Sequence, residues 1–271
     1  MRGLGIGWRP EIAGVIAELR GLGFCEVIAE SVNPSEPPPH LLVLGIPVVP
    51  HGISLSLGSV GPVDERRVTH LAACAEALGS PVVSEHIAFV RADGIEAGHL
   101  LPMPRTREAL DVLSSNIIAA QKSLPVPLAV ENVASVVDWA DADYTESEFL
   151  TELVTRTGVH LVLDIANVYA NARNKNRDPW DELRRIPRET VAYCHVAGGS
   201  ERDGFYHDTH TDPVPDAVLE LVRALAENGL PALMLERDGN YPPAHELYDE
   251  LDAIADAARL PRVTPFDRTP R

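Results

Sequence analysis

Short apolar runs rich in β-branched residues recur along this chain, separated by longer amphipathic stretches. The runs are LGIGW at 4–8, FCEVIAES at 24–31, IPVVPHGIS at 46–54, PVVSEHIAF at 81–89, PLAVENV at 127–133, HLVLDIANV at 160–168, VAYCHVAG at 191–198 and PALMLERD at 231–238. Each has the length and composition of a strand. Residues 64–79, 106–124, 147–158 and 215–229 read as helices between them, with glycine or proline at the joints. The proline-rich NPSEPPPH at 33–40 stands where a regular second helix would fall.

Eight strands alternating with helices predict parallel βα units, and eight is the number that closes a (β/α)8 TIM barrel. The expected architecture is one α/β barrel domain over residues 1–260 and a loosely ordered tail over 261–271. A doubly wound open sheet is the alternative. Against it, GLGIGW does not continue as GxGxxG into a helix.

Polar residues fall at one end of nearly every strand. The third offers His51, the fourth Glu85 and His86, the fifth Glu131 and Asn132, and the sixth Asp164 followed by Asn167. The seventh offers His195, and the eighth Glu236 and Asp238. The segment YHDTHTDP at 206–213 adds Asp208 and His210. In a parallel barrel all C-terminal strand ends meet on one face, where active sites sit. Any one of these residues alone reads as a cap or an Asx turn. Strand after strand offering such a group at the same end is more than capping requires. Carboxylates converging in one mouth repel unless cations lie among them, and metal ions supply those cations.

Ligand type and strand alternation sharpen the set. A mixture of imidazole and carboxylate suits zinc, manganese or non-haem iron better than Cu(I) or an iron–sulfur cluster. The donors outnumber what one ion can use, which implies two or three ions with bridging carboxylates. Neighbours on a strand face opposite ways, so His86 is preferred over Glu85, and Glu131 over a rim-facing Asn132. Asp208 and His210 share a side in extended backbone, and His207 projects away. Asp212 reads as a cap of the following helix, Cys194 as barrel wall, and His40, His70, His99, His160 and His245 as uninvolved.

Composition limits partners and compartment. The net charge of −17, from 40 acidic and 23 basic residues, argues against a nucleic-acid partner. Cys25, Cys74 and Cys194 form no CxxC and suggest no disulfide framework, so a reducing compartment is expected. No secretory h-region opens the chain and no apolar run reaches membrane-span length. The expectation is a cytoplasmic protein without membrane partners.

The blocks HGISLSLGS (51–59), SEHIAF (84–89), ENVAS (131–135), LDIANVYANARN (163–174), HVAG (195–198), DTHTDPV (208–214) and LERD (235–238) resemble, in order, those of the DUF692 family. These are the multinuclear non-haem iron-dependent oxidative enzymes, and the resemblance runs from about Gly3 to about residue 255. It implies a TIM barrel with two to three iron ions of mixed Fe(II)/Fe(III) state at its mouth. It also implies O2 as co-substrate, a ribosomal precursor peptide as substrate, and a separate leader-binding partner protein. Carried over, His51, His86 and Glu131 resemble the ligands of one iron. Glu131 would bridge to a second iron held by Asp164, His195 and Glu236, and Asn167, Asp208 and His210 would hold a third. Two positions depart from the pattern: Lys175 stands where many relatives carry histidine, and Arg237 where many carry tryptophan. Both are expected near the peptide channel. A zinc-type hydrolytic or isomerising barrel is the competing function, and a non-catalytic metal-binding scaffold the third.

Overall fold

The strands close as the pattern predicts. In this computed structural model, which describes residues 1–265 apart from Asp93 and Val137, eight parallel strands form a closed barrel. They are β1 (Leu4–Gly7), β2 (Phe24–Ile28), β3 (Val48–His51), β4 (Val83–His86), β5 (Leu128–Glu131), β6 (His160–Asp164), β7 (Val191–Val196) and β8 (Ala232–Leu235). Each pairs with the next, and β1 pairs with β8, which excludes the open sheet. The crossover elements include the helices Glu65–Leu78, Arg107–Gln121, Glu146–Thr157, Ile165–Asn174, Asp216–Ala226 and Ala244–Ala258. The proline-rich segment yields only a single turn, Pro39–Leu42.

Period-two alternation divides the core. Phe24, Val49, Val82, Ala129, Val162, Tyr193, Ala232 and Met234 fill the barrel interior. Cys25, Val27, Val83, Val130, Leu163, Cys194, Leu233 and Leu235 pack outward with the helices. The barrel is narrow at its base: a Cβ on Gly5 would lie 2.7 Å from the Phe24 ring.

The same inward parity, continued toward the C-terminal ends, changes from apolar to polar. Phe24 is followed at two-residue spacing by Glu26, Val49 by His51 and Val82 by Ser84 and His86. Ala129 is followed by Glu131, Val162 by Asp164, Tyr193 by His195 and Met234 by Glu236. Register aligns these ends across neighbouring strands: His51 sits opposite Ser84, His86 opposite Glu131 and Asp164 opposite His195.

Two antiparallel hairpins rise over this face, Ala88–Ala92 with Ile95–Pro102 and Gly198–Arg202 with Phe205–Asp212. YHDTHTDP therefore lies on a strand. Its pairing jumps from His207↔Ser200 to Asp212↔Gly198, which throws residues 208–211 out as a bulge. Past the last helix, Val263 and Thr264 are buried, and Thr264 Oγ1 donates to Asp252 Oδ1 at 2.7 Å. The rest of the expected tail, 266–271, lies outside the described residues.

Candidate metal centre

Five overlapping groups of possible donor atoms assemble at the mouth, and three of them together take in His51, His86, Glu131, Asp164, His195, Glu236, Asp208 and His210. His51 Nε2 lies 3.2 Å from His86 Nε2 and 3.3 Å from Glu131 Oε2, and His86 Nε2 is 3.6 Å from that oxygen. Ligands bonded to one ion at about 2.0–2.2 Å stand roughly 3.0–3.5 Å apart, so this triangle fits a single ion. Glu131 turns its other oxygen to a second group. Its Oε1 is 3.4 Å from His195 Nδ1, which is 3.1 Å from Glu236 Oε2, and Asp164 completes the set. In the third group His210 Nε2 is 2.8 Å from Asp208 Oδ2 and 4.0 Å from Asp164 Oδ2. Within each group the donor atoms lie within 4.8 Å of one another.

Burial grades the three groups. His51, Glu131, Asp164 and His195 are at most 2% exposed, whereas the side chains of Asp208 and His210 are 11% and 12% exposed. Among the described residues, the buried oxygens Glu131 Oε2, Asp164 Oδ2, Asn167 Oδ1 and Asp208 Oδ1 receive no hydrogen bond. Buried acceptors left without donors are costly. Four of them at one mouth are what a set of metal-facing ligands requires.

Electrostatics point the same way. Burial, reinforced by Asp208 and Glu131, pushes the Asp164 carboxyl well above the usual range. Burial alone would lower His86, but the Glu131 and Glu85 carboxylates outweigh it and raise it to about 9. His195 and His210 are driven upward in the same way by the acids around them, and Glu131 and Glu236 downward by the histidines. Without ions, protons on the histidines balance the carboxylates; bound cations would replace those protons.

Positions around the donors explain how they are held. Glu85 turns away from the mouth and accepts from the backbone N–H groups of Leu55 at 2.8 Å, Ser54 at 3.1 Å and His86 at 2.8 Å. The His86 Nδ1 faces the Gly52 carbonyl at 3.1 Å. Asp164 caps the helix Ile165–Asn174 by accepting from Asn167 N at 2.8 Å, which delivers Asn167 to the same mouth. Asn167 Nδ2 donates to the Asn132 carbonyl at 3.0 Å, leaving Oδ1 for the centre.

Several expectations are corrected. Asn132 is not at the rim: it is 3% exposed and clamps the backbone of Asp164, donating to its carbonyl and accepting from its N–H. Asp208 and His210 do meet, but not through extended alternation. They lie on the bulge, and His210 takes a positive φ of 52°. His207 belongs to none of the donor groups; its Nε2 is 3.3 Å from the Arg202 carbonyl. Asp212 caps no helix. Its Oδ2 accepts from Thr209 and Thr211 and closes the bulge. Lys175 pairs with Asp138 at 3.0 Å in a neighbouring pocket, and Arg237 points into the protein, pairing with Glu250 at 3.2 Å. Neither lines the mouth.

Two buried charges lie outside the sequence expectation. Glu26, 1% exposed, accepts from His195 Nε2 at 3.0 Å and Tyr193 Oη at 2.5 Å. Its signal was present: a lone acid in an apolar run, with the inward parity of Phe24. Arg9, 8% exposed, bonds Asp238 and lies 3.6 Å from Glu236 Oε1, so a fixed cation braces the eighth strand's acids.

Comparisons with known proteins bear on the family and the fold. A UPF0276 protein of Streptomyces avermitilis is 52% identical over 263 residues, 93% of this chain and 54% of that protein. The chain thus spans about half the length of that relative. A UPF0276 protein of Caulobacter vibrioides is 37% identical over 257 residues, 92% of each chain. Among solved structures, endonuclease IV from Thermus thermophilus matches with a TM-score of 0.61 at 19% identity, over 95% of this chain and 99% of that one. A D-tagatose 3-epimerase-like protein matches with a TM-score of 0.61 at 14% identity, over 95% and 98%. Those two likenesses concern the barrel fold alone. Residues 3–259 match the model of the RiPP precursor modification enzymes MbnB/TglH/ChrH, and the chain belongs to that family.

Proposed function

We propose that this protein is a multinuclear non-haem iron- and O2-dependent oxidase that modifies a ribosomally synthesised precursor peptide. The observation that carries the reading is Glu131. Its two oxygens face two different donor groups, 3.3 Å from His51 Nε2 and 3.4 Å from His195 Nδ1. That arrangement suits a bridging ligand between neighbouring ions. His51, His86 and Glu131 would hold the first ion, Glu131, Asp164, His195 and Glu236 the second, and Asn167, Asp208 and His210 the third. Bound iron would supply the one-electron and O2 chemistry.

The chain's own residues provide orientation and exclusion of water. The barrel floor beneath the donors is closed by Phe24, Tyr193 and Met234, so the substrate enters from the hairpin side. There the mouth is walled by Leu100, Leu101 and Pro102 on one flank and by Ser200, Tyr206 and His207 on the other. An apolar wall facing a polar one suits a peptide segment, which has both kinds of group. A separate leader-binding protein as partner follows from the family resemblance, and we include it in the proposal.

The test is a mass measurement. Iron-loaded protein is incubated with a candidate precursor peptide and a leader-binding partner, with and without O2. The expected result is a peptide mass change that requires both iron and O2. Turnover that proceeds without O2, in protein carrying stoichiometric zinc and no iron, would replace the oxidase with the hydrolytic or isomerising alternative.

A further inference from the structure

Beneath the donor atoms runs a continuous buried chain of hydrogen bonds that joins two of the histidines. His51 Nδ1 is 2.7 Å from Ser84 Oγ, Ser84 Oγ is 2.8 Å from Tyr193 Oη, and Tyr193 Oη is 2.5 Å from Glu26 Oε2. The same Glu26 oxygen lies 3.0 Å from His195 Nε2. All five residues are at most 2% exposed, so water does not compete for these groups.

Glu26 as a carboxylate only accepts. Tyr193 Oη is the donor in both of its contacts, and its one hydroxyl proton is shared between the Glu26 carboxylate and Ser84 Oγ. From the other side His195 Nε2–H donates to Glu26 directly. Tyr193 and His195 thus both donate to one carboxylate, and the His195 nitrogen left to face Glu131 and a bound ion is Nδ1.

We propose that Glu26 is a positioning residue that sets the ligand tautomer of His195 by direct contact, with Tyr193 as the second donor that holds its carboxylate in place. A ligating histidine's other nitrogen is ordinarily held by its own carboxylate or carbonyl, and such partners fix its tautomer. His86 follows that independent pattern through the Gly52 carbonyl. His195 follows it through the Glu26 carboxylate. The geometry uses β2, the one strand from the second to the eighth that lacked a candidate in the sequence, to brace the ligand of β7.

The inference rests on the metal-binding reading of the mouth, and its test separates the two. Protein labelled with ¹⁵N at its ten histidines is loaded with Zn(II), and long-range ¹H–¹⁵N spectra identify the protonated nitrogen of each ring, assigned by single substitutions. In the unmodified protein His195 should carry its proton on Nε2. Ser84→Ala removes no partner of Glu26 or His195 and should leave the His195 ring signals in place, with folding checked by circular dichroism. Glu26→Gln should disturb the His195 ring and weaken zinc binding about 10- to 100-fold, the usual effect of losing such a partner. A merely structural role for Glu26 would lower stability without moving ring protonation. Protein that takes up no zinc would overturn the metal centre and this assignment with it. Zinc uptake with His195 bound through Nε2, or with its ring signals unmoved in Glu26→Gln, would overturn the Glu26 assignment alone.

Discussion

Replacing Glu131 by glutamine tests the sharing of a ligand between two ions. The amide keeps the side chain's shape but removes its charge and one of its two metal-facing oxygens. The first donor group, His51, His86 and Glu131, loses one of three members, and the second, with Asp164, His195 and Glu236, loses one of four. The third group contains no atom of Glu131 and should keep its ion. With free metal at about 100 times Kd, each occupied position adds about 2.7 kcal/mol to stability, so emptying two removes roughly 5 kcal/mol. At about 2–4 °C per kcal/mol for a chain near this size, the loaded variant should melt on the order of 10–20 °C below the loaded parent. The assays are metal analysis after gel filtration and calorimetry. A variant that keeps its full metal content, or that loses no more than His210→Ala does, would refute the bridging role.

Other outcomes follow from the same geometry. His210→Ala should lose about one ion and keep the fold, because it removes a donor from the more exposed bulge, whereas His207→Ala should keep its metal; both are read by metal analysis and circular dichroism. In metal-free protein, the His86 pKa of about 9 lies above the unfolded value of about 6.5. Its stabilising contribution is therefore fully present below pH 6.5 and lost as the pH rises through 9, so the melting temperature of chelated protein should fall across that window. Zinc titrated in at pH 7 should release protons, which a pH-stat measures. Arg237→Ala leaves Glu250, with a side chain only 8% exposed, without its cation, and should cost about 3–5 kcal/mol by urea melt with no change in metal content.

The barrel was legible because its signal is local. The runs at 46–54, 127–133 and 191–198 enclose the observed strands, since a strand covered on both faces must be apolar throughout. The strand-borne donors were legible for a related reason: His51, His86, Glu131, Asp164, His195 and Glu236 each break such a run toward one end. The sixth run outlasts its strand, because IANV continues the apolar pattern while Asp164 begins a helix. The two hairpins were hidden. Ile95–Pro102 is exposed along most of its length and so shows no buried-strand pattern, and the pairing of Phe205–Asp212 is interrupted by its bulge. The sequence could not show that Arg237 turns inward to Glu250, because that depends on packing between β8 and the helix Ala244–Ala258. Glu26 showed only as an acid with the inward parity of Phe24; its contact with Tyr193, 167 residues away, was hidden.

The central claim, a multinuclear iron centre built around Glu131, is tested most directly by anomalous diffraction at the iron edge on crystals of anaerobically iron-loaded protein. The account predicts two strong iron peaks, one bonded by His51 Nε2, His86 Nε2 and Glu131 and the other by the opposite Glu131 oxygen, Asp164, His195 Nδ1 and Glu236. A third, weaker peak should lie at Asp208 and His210. A single peak, or iron lying away from Glu131, would contradict it.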